Sequence, residues 1–379
     1  MAFQEQVLSM NELQKITADA VQLLKQLITI PSFSKEEDGT ADLICDFFKY
    51  RNIHPQRYLN NVWVQNKYFD PSKPTILLNS HHDTVKPNAG YVLNPFEAIE
   101  KDGKLFGLGS NDAGGSLVSL IAAFLFFSDQ GNLKYNLVFA ATAEEEISGK
   151  NGIEALLKKK EFANALGISK AHLQRMGVCA IVGEPTQMQM AVAEKGLIVL
   201  DCIANGVAGH AASDEGENAI VKAMNDIQWF RSYRFEKISE LLGPVKLTVT
   251  SIETENKTHN ILPSQCKYIV DVRVNELYNL EEILETIKLN VQSEVTERSL
   301  RLRSTSISLD HPLVKAGLSL GRNYYGSPTT SDKALMNFPS LKIGPGDSAR
   351  SHTADEFIYV DEIKKGIELY MKLLQKFLF

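Results

Sequence analysis

Three carboxylates stand in a row at Glu144, Glu145 and Glu146, directly after the apolar run Leu137 to Ala141 and before Ser148 and Gly149. Adjacent anions at a strand end repel one another, so either water solvates them or a positive partner compensates them, and a metal ion is such a partner. Two further apolar runs end in the same way. Thr75 to Asn79 leads into His81, His82 and Asp83, and Ala180 to Val182 leads into Gly183, Glu184 and Pro185. Ligands of open α/β sheets bind beyond the carboxyl ends of the strands, so strand ends carrying His and carboxylates can converge on one site.

Residues two apart share a face of an extended chain, which lets the Asp83 carboxylate accept a hydrogen bond from the His81 ring nitrogen that is turned away from a metal. His82 then faces elsewhere as a structural residue. The turn Gly107 to Gly115 is glycine-rich and precedes a helix, yet it matches neither G-x-G-x-x-G nor the P-loop. Asp112 within it would set a negative charge where a phosphate should lie. A carboxylate carried on such a turn is better suited to bridging two cations. His352, in the run Ser351 to Glu356, completes a donor set with His81, Asp112, Glu146 and Glu184. Taken singly, each is also what a surface carboxylate or a capping histidine would give. Together they form a nitrogen and oxygen set without thiolate, which suits zinc, with cobalt or manganese as substitutes. Two zinc ions about 3.5–4 Å apart can lower the pKa of a shared water and polarise a carbonyl, so the reaction class is hydrolysis.

The chain of 379 residues is 44% apolar, enough to bury a sizeable core in two domains. A net charge of −6 without any cluster of basic and aromatic residues argues against nucleic acid as a partner. Cys45, Cys179, Cys202 and Cys266 show no C-x-x-C spacing, which suggests neither a zinc ribbon nor a disulfide framework and fits a reducing cytoplasm. The polar start, Met1 to Asn11, does not resemble a secretory signal, and Leu117 to Phe127 is too short to span a bilayer of about 20 residues, so no membrane partner is expected.

Leu13, Ile16, Val21, Leu24, Leu27 and Ile28 recur at helical spacing, and a second helix is expected over Glu36 to Tyr50. Strands at Val62–Gln65, Thr75–Asn79, Asn136–Ala141 and Cys179–Val182 alternate with helical stretches from Gly115 and over Gly152–Lys159. That alternation predicts an α/β fold with a mostly parallel sheet and helices on both faces. From Met190 the texture changes to strand 197–203, helix 217–230, strands 246–252 and 268–274, helix 280–295 and strand 300–307. This is the β-α-β-β-α-β order of a ferredoxin-like α+β unit, inserted as a lid. The expected boundaries are a catalytic domain over 1–189 and 309–379, interrupted by the lid over 190–308.

With these residues assembled, the chain resembles the dinuclear-zinc amidohydrolase and metallopeptidase family that contains acetylornithine deacetylase, succinyl-diaminopimelate desuccinylase, aminoacylase and glutamate carboxypeptidase. The resemblance runs over nearly the whole chain, in the family's motif order. It implies that His81, Asp112 and Glu184 hold one zinc and that Asp112, Glu146 and His352 hold the other. It further implies that Glu145 is the general base; Glu144 occupies the place where the family usually has Asp, and the plain reading of it is a supporting or solvated carboxylate. In the run Gly206 to Gly216, His210 resembles the family histidine that stabilises the oxyanion, commonly across a homodimer formed through the lid; the alternative is a turn-capping residue. Asn260 and Arg273 resemble lid positions that touch substrate, although Arg273 could equally pair with Asp271.

Three departures stand out. Ala113, Gly114 and Gly115 replace the family's Met-Lys-Gly, Ser80 replaces a glycine, and a proline after His210 is missing. Gly344 to Ser348 followed by His352 looks like the acetylornithine deacetylase branch. The implied substrate is therefore N-acetylornithine, or N-acetyl- or N-succinylcitrulline in arginine synthesis. Succinyl-diaminopimelate desuccinylase and dipeptidase activities are the alternatives within the family. A non-catalytic binding protein on this fold is the alternative outside it.

Overall fold

The computed structural model describes residues 9–168, 177–213 and 215–379, so residues 1–8 of the polar start lie outside it. The chain divides into two compact units. One comprises 1–192, 307–324 and 336–379, and the other 193–306 and 325–335. Residues 325–335 thus group with the inserted unit, although they were expected to belong to the closing segment over 309–379.

In the first unit the sheet runs in the order Gln56–Tyr58, Asn61–Gln65, Asn136–Thr142, Thr75–His81, Cys179–Val182, Ser340–Lys342 and Met190–Glu194. The four strands from Asn136–Thr142 to Ser340–Lys342 are mutually parallel, and antiparallel pairs flank them on both sides. Strands buried on both faces read as continuous apolar runs, and this is why Thr75–His81 and Asn136–Thr142 lack alternation. Ile76, Leu78, Leu137 and Phe139 pack into one core with the helices Met10–Ile28, Asp38–Tyr50, Gly115–Ser128 and Val360–Leu378. On the other face Trp63 meets Phe162 of the helix Lys160–Leu166, their ring centroids 5.4 Å apart. A fully buried side chain such as Phe139 contributes about 1.5–3 kcal/mol relative to exposure, so loss of either layer would expose most of this sheet.

Among the described residues, the helical stretch Ser110–Ser128 is long and apolar enough by composition to cross a membrane, but 83% of its apolar window is buried within the fold. Its side chains are taken up by the core, in line with the buried helix expected over Leu117 to Phe127.

The second unit is a four-stranded antiparallel sheet in the order Lys246–Thr254, Gln265–Val274, Gly196–Asn205, Glu294–Glu297, with the helices Ala219–Ser232 and Leu280–Asn290. Gly196–Asn205 alternates buried and half-buried positions, the period-two signature of one face on a core. Ile198, Leu200, Tyr268 and Val270 meet Phe230, Ile283 and Ile287 there.

The sequence expectation errs at the end of this unit. The second helix stops at Asn290 instead of reaching Val295, and the closing strand is Glu294–Glu297, whereas of the expected 300–307 Thr305–Ser306 forms a short ladder and Leu302 a single bridge to Leu197. The Asp226 carboxylate causes the early stop. It accepts the backbone N–H groups of Gln292 and Ser293 at 3.0 and 2.9 Å and the Ser293 hydroxyl at 2.6 Å, which draws the chain off the helix axis.

Candidate metal centre

Each parallel strand of the first unit delivers part of the site from its carboxyl end. His81 is the last residue of its strand, Glu145 and Glu146 follow Asn136–Thr142, and Glu184 follows Cys179–Val182. The segment after Ser340–Lys342 brings His352, and Asp112 sits just before the helix that follows the His81 strand. Among the described residues, His81, Asp112 and Glu184 form one group of metal-type donors and Asp112, Glu146 and His352 a second, with donor atoms in each group within 4.8 Å of one another.

Asp112 belongs to both groups and divides its two oxygens between them. Its Oδ1 lies 3.3 Å from His81 Nε2 and its Oδ2 lies 3.7 Å from His352 Nε2. His81 Nε2 is also 3.9 Å from Glu184 Oε1, and His352 Nε2 is 3.0 Å from Glu146 Oε2. Donors 2.0–2.1 Å from a tetrahedral ion stand about 3.4 Å apart, so these separations match donors facing a common centre.

The electrostatics point the same way. The carboxylates of Asp83, Asp112, Glu145, Glu146, Glu184 and Glu356 surround two imidazoles. Burial opposes protonation of His81, yet Asp112, Asp83, Glu145 and Glu184 together raise its pKa well above the usual histidine value. The hydrogen bond and charge of Glu146, with the Asp112 charge, raise His352 to about 9. Burial raises Glu146; burial also pushes Asp112 up, but the hydrogen bond and charge of His81, with the Ser351 hydrogen bond and the His352 charge, together hold it below the ordinary carboxylate range. Such a concentration of anion draws protons onto its imidazoles, and divalent cations would supply that charge instead. The residues present therefore fit two ions.

The expected role of Asp83 needs correcting in its details. The closest partner of His81 Nδ1 is the Asp83 backbone carbonyl at 3.0 Å, and the carboxylate stands at 3.4 Å. That carboxylate instead accepts the N–H groups of Glu145 and Glu146 at 3.0 and 3.1 Å and the Ser34 hydroxyl at 2.7 Å. Asp83 thus orients the acidic triplet as well as the histidine. Glu145 has its Oε2 4.0 Å from His81 Nε2, inside the cluster. Glu144 turns away in a left-handed conformation (φ 55°), its carboxylate accepting the side chain and backbone N–H of Asn151, which makes it the supporting residue. His82 is buried between Thr40 and the Asn60 carbonyl, and burial lowers its pKa to about 4, so it is a neutral structural imidazole.

Sequence reasoning passed over Glu356, although it lies in the same short run as His352. Its buried carboxylate accepts the N–H groups of Gly109, Asn111 and Asp112 at 3.0, 2.8 and 2.9 Å. Burial, with the neighbouring Asp112 charge, pushes it up to about 7. Two of the departures also find physical reasons. A Cβ at Gly114, where the resembled family carries Lys, would stand 2.4 Å from the Gly109 carbonyl oxygen and 2.5 Å from Leu24. Ser80 donates its hydroxyl to the Gly183 carbonyl at 2.8 Å, tying the His81 and Glu184 strand ends together.

The remaining candidates lie on the second unit. His210 pairs with Ile261 in a short antiparallel ladder, its Nδ1 accepting the Ala212 N–H at 3.1 Å, and the Asn260 carbonyl accepts the Ala211 N–H at 3.0 Å. These two residues are neighbours. Arg273 holds Asp271 through two parallel bonds of 2.8 and 3.0 Å and reaches the Thr330 hydroxyl at 3.3 Å, so the ion-pair alternative is what the structure contains. Capture of a substrate carboxylate by the same guanidinium edge would require Asp271 to give way.

The profile of Peptidase family M20/M25/M40 matches residues 77–376, a span that contains every one of these donors. This chain belongs to the M20/M25/M40 family. Like the family, it is a metal-dependent hydrolase acting on amide bonds. Its curated relatives include succinyl-diaminopimelate desuccinylase of Rickettsia bellii, 26% identical over 93% of this chain and 95% of the relative, and the enzyme of the same name from Wolbachia pipientis, 24% identical over 95% and 94%. Among solved structures, an M20-family metallo-carboxypeptidase from Sulfolobus solfataricus superposes with a TM-score of 0.74 at 16% identity, covering 94% of this chain and 98% of its own. This M20 member, a mostly parallel sheet with a second α+β unit, therefore shares its fold with that metallo-carboxypeptidase. Its named relatives are desuccinylases, whereas the sequence reading favoured acetylornithine deacetylase.

Proposed function

We propose that this enzyme removes an acyl group from the nitrogen of an amino acid, with an N-succinylated diamino acid as the first substrate to test and N-acetylornithine, or an N-acylated citrulline, as the second. The observation that carries the chemistry is the Asp112 carboxylate, whose two oxygens face two different histidines. The order of substrates is supported by the names of the relatives, and a role in arginine synthesis stands on the resemblance alone.

Two zinc ions held by His81, Asp112 and Glu184 and by Asp112, Glu146 and His352 would lower the pKa of a water and polarise the amide carbonyl, with cobalt or manganese able to substitute. Glu145 takes a proton from the attacking water at its carboxylate and returns it to the departing amine nitrogen as the C–N bond breaks and the new C–O bond forms. Asp83 holds the backbone of Glu145 and the ring of His81 in place. His210 donates to the carbonyl oxygen as negative charge develops on it, and Asn260 and Arg273 bind the rest of the substrate. A homodimer formed through the second unit and a cytoplasmic setting belong to the same proposal, the latter supported by four cysteines that are buried free thiols.

A panel of N-succinyl-diaminopimelate, N-acetylornithine, N-acetylcitrulline, N-succinylcitrulline and unblocked dipeptides, assayed with zinc-loaded enzyme, tests the substrate class. Preference for an N-acyl amino acid is expected, and highest kcat/KM on free dipeptides would overturn it. His210→Ala is expected to lower kcat by a factor on the order of 100 while KM changes little, as for a residue that acts on developing charge. A change confined to KM would make it a binding residue.

A further inference from the structure

The segment Gly107 to Asp112 must place the shared carboxylate, yet it is an irregular, glycine-rich turn with Gly107 and Gly109 at φ 148° and 74°. Backbone of that kind has no ladder of its own to hold it, so its N–H groups must find partners elsewhere. Four of them end on a single residue. Gly107 donates to the Glu356 carbonyl at 3.0 Å, Gly109 to Glu356 Oε2 at 3.0 Å, and Asn111 and Asp112 to Oε1 at 2.8 and 2.9 Å.

Glu356 is itself fixed. The next residues, Phe357–Tyr359, pair with Lys104–Phe106, and Ile358 packs so closely on Gly115 that a Cβ there would stand 2.2 Å away. The preceding residues belong to the other half of the site, where Asp355 accepts the N–H groups of Val92 and Leu93 and Asn88 donates to the His352 carbonyl at 3.1 Å. Asn111 adds a second tie, exchanging hydrogen bonds of 2.9 and 3.0 Å with the Asp347 backbone. One side chain thereby sets Asp112 relative to His352, the two donors drawn from the most irregular backbone of the cluster.

We infer that Glu356 is a positioning residue, which by gathering the N–H groups of Gly109, Asn111 and Asp112 aims the Asp112 carboxylate at both donor groups and so determines whether two cations are held or one. The inference rests on the two-cation reading above. In Glu356→Gln the carbonyl oxygen can keep the bonds to Asn111 and Asp112, but the amide NH₂ then opposes the Gly109 N–H, donor against donor. The turn shifts, and Asp112 shifts with it.

Wild type, Glu356→Gln and Glu356→Ala, stripped with a chelator, should be titrated with Co²⁺ alone, following equilibrium dialysis and the visible spectrum. Wild type is expected to take up two ions per chain. Glu356→Gln should keep its far-ultraviolet circular dichroism while at least one ion binds about 10- to 100-fold more weakly, with a changed cobalt spectrum. Hydrolysis by the variant should lose kcat while KM stays within about twofold. If Glu356→Ala fails to fold, Glu356→Gln decides the matter. Two ions bound by Glu356→Gln with wild-type affinity and spectrum would overturn the positioning role and leave the proposed function standing. Wild type that binds no Co²⁺ would overturn both.

Discussion

Glutamine in place of Glu145 is expected to reduce kcat by a factor on the order of 100 to 10,000, the range for loss of a positioned general base. The change is isosteric and removes only basicity. The Asp83 carboxylate would still accept the backbone N–H groups of residues 145 and 146, so the loop should stay where it is. The two proposed cation positions use Glu146 and not Glu145, so metal content is expected to match wild type. Single-turnover kinetics together with elemental analysis check both halves of the expectation. Turnover equal to wild type would remove Glu145 from the role of base, and a loss of metal in parallel with activity would make it a ligand.

Substitution of Asp112 by alanine should have a comparable or larger effect by a different route. Its oxygens face His81 on one side and His352 on the other, so one change takes a donor from both groups. Activity is expected to fall by a factor on the order of 1,000 or more, which is several kcal/mol of transition-state stabilisation. Metal content should fall from two ions per chain to one or none. Glu184→Ala and Glu146→Ala serve as controls, because each touches a single group, and each should leave one ion bound. Should Asp112→Ala retain both ions, the shared-carboxylate geometry is wrong even if the protein is a hydrolase.

The curated relatives shift attention from a neutral acetyl group to a succinyl group, which carries its own carboxylate. An enzyme for such a substrate needs a cation to meet that charge. Arg273, proposed to meet that charge, is engaged with Asp271, so Asp271→Asn, which frees the guanidinium, is expected to lower KM for an N-succinyl substrate if the proposal holds.

Residue type and order alone singled out the side chains proposed to carry the chemistry, and the fold gathers five of them, His81, Asp112, Glu146, Glu184 and His352, into two donor groups. His81, the acidic triplet and Glu184 each follow an apolar run, and a parallel strand buried on both faces must be such a run, so strand ends and their ligands are legible together. The inserted unit was legible for a similar reason, since half-buried strands alternate with period two. The tertiary structure decided how the donors are held. Asp83 serves the N–H groups of Glu145 and Glu146, Asp226 ends a helix at Asn290, and Glu356 gathers a turn about 250 residues away in sequence. Each is a buried carboxylate satisfying distant backbone N–H groups. Such pairing leaves no periodicity in the chain, because the obligation to bond every buried amide is discharged by whichever acceptor the fold brings near.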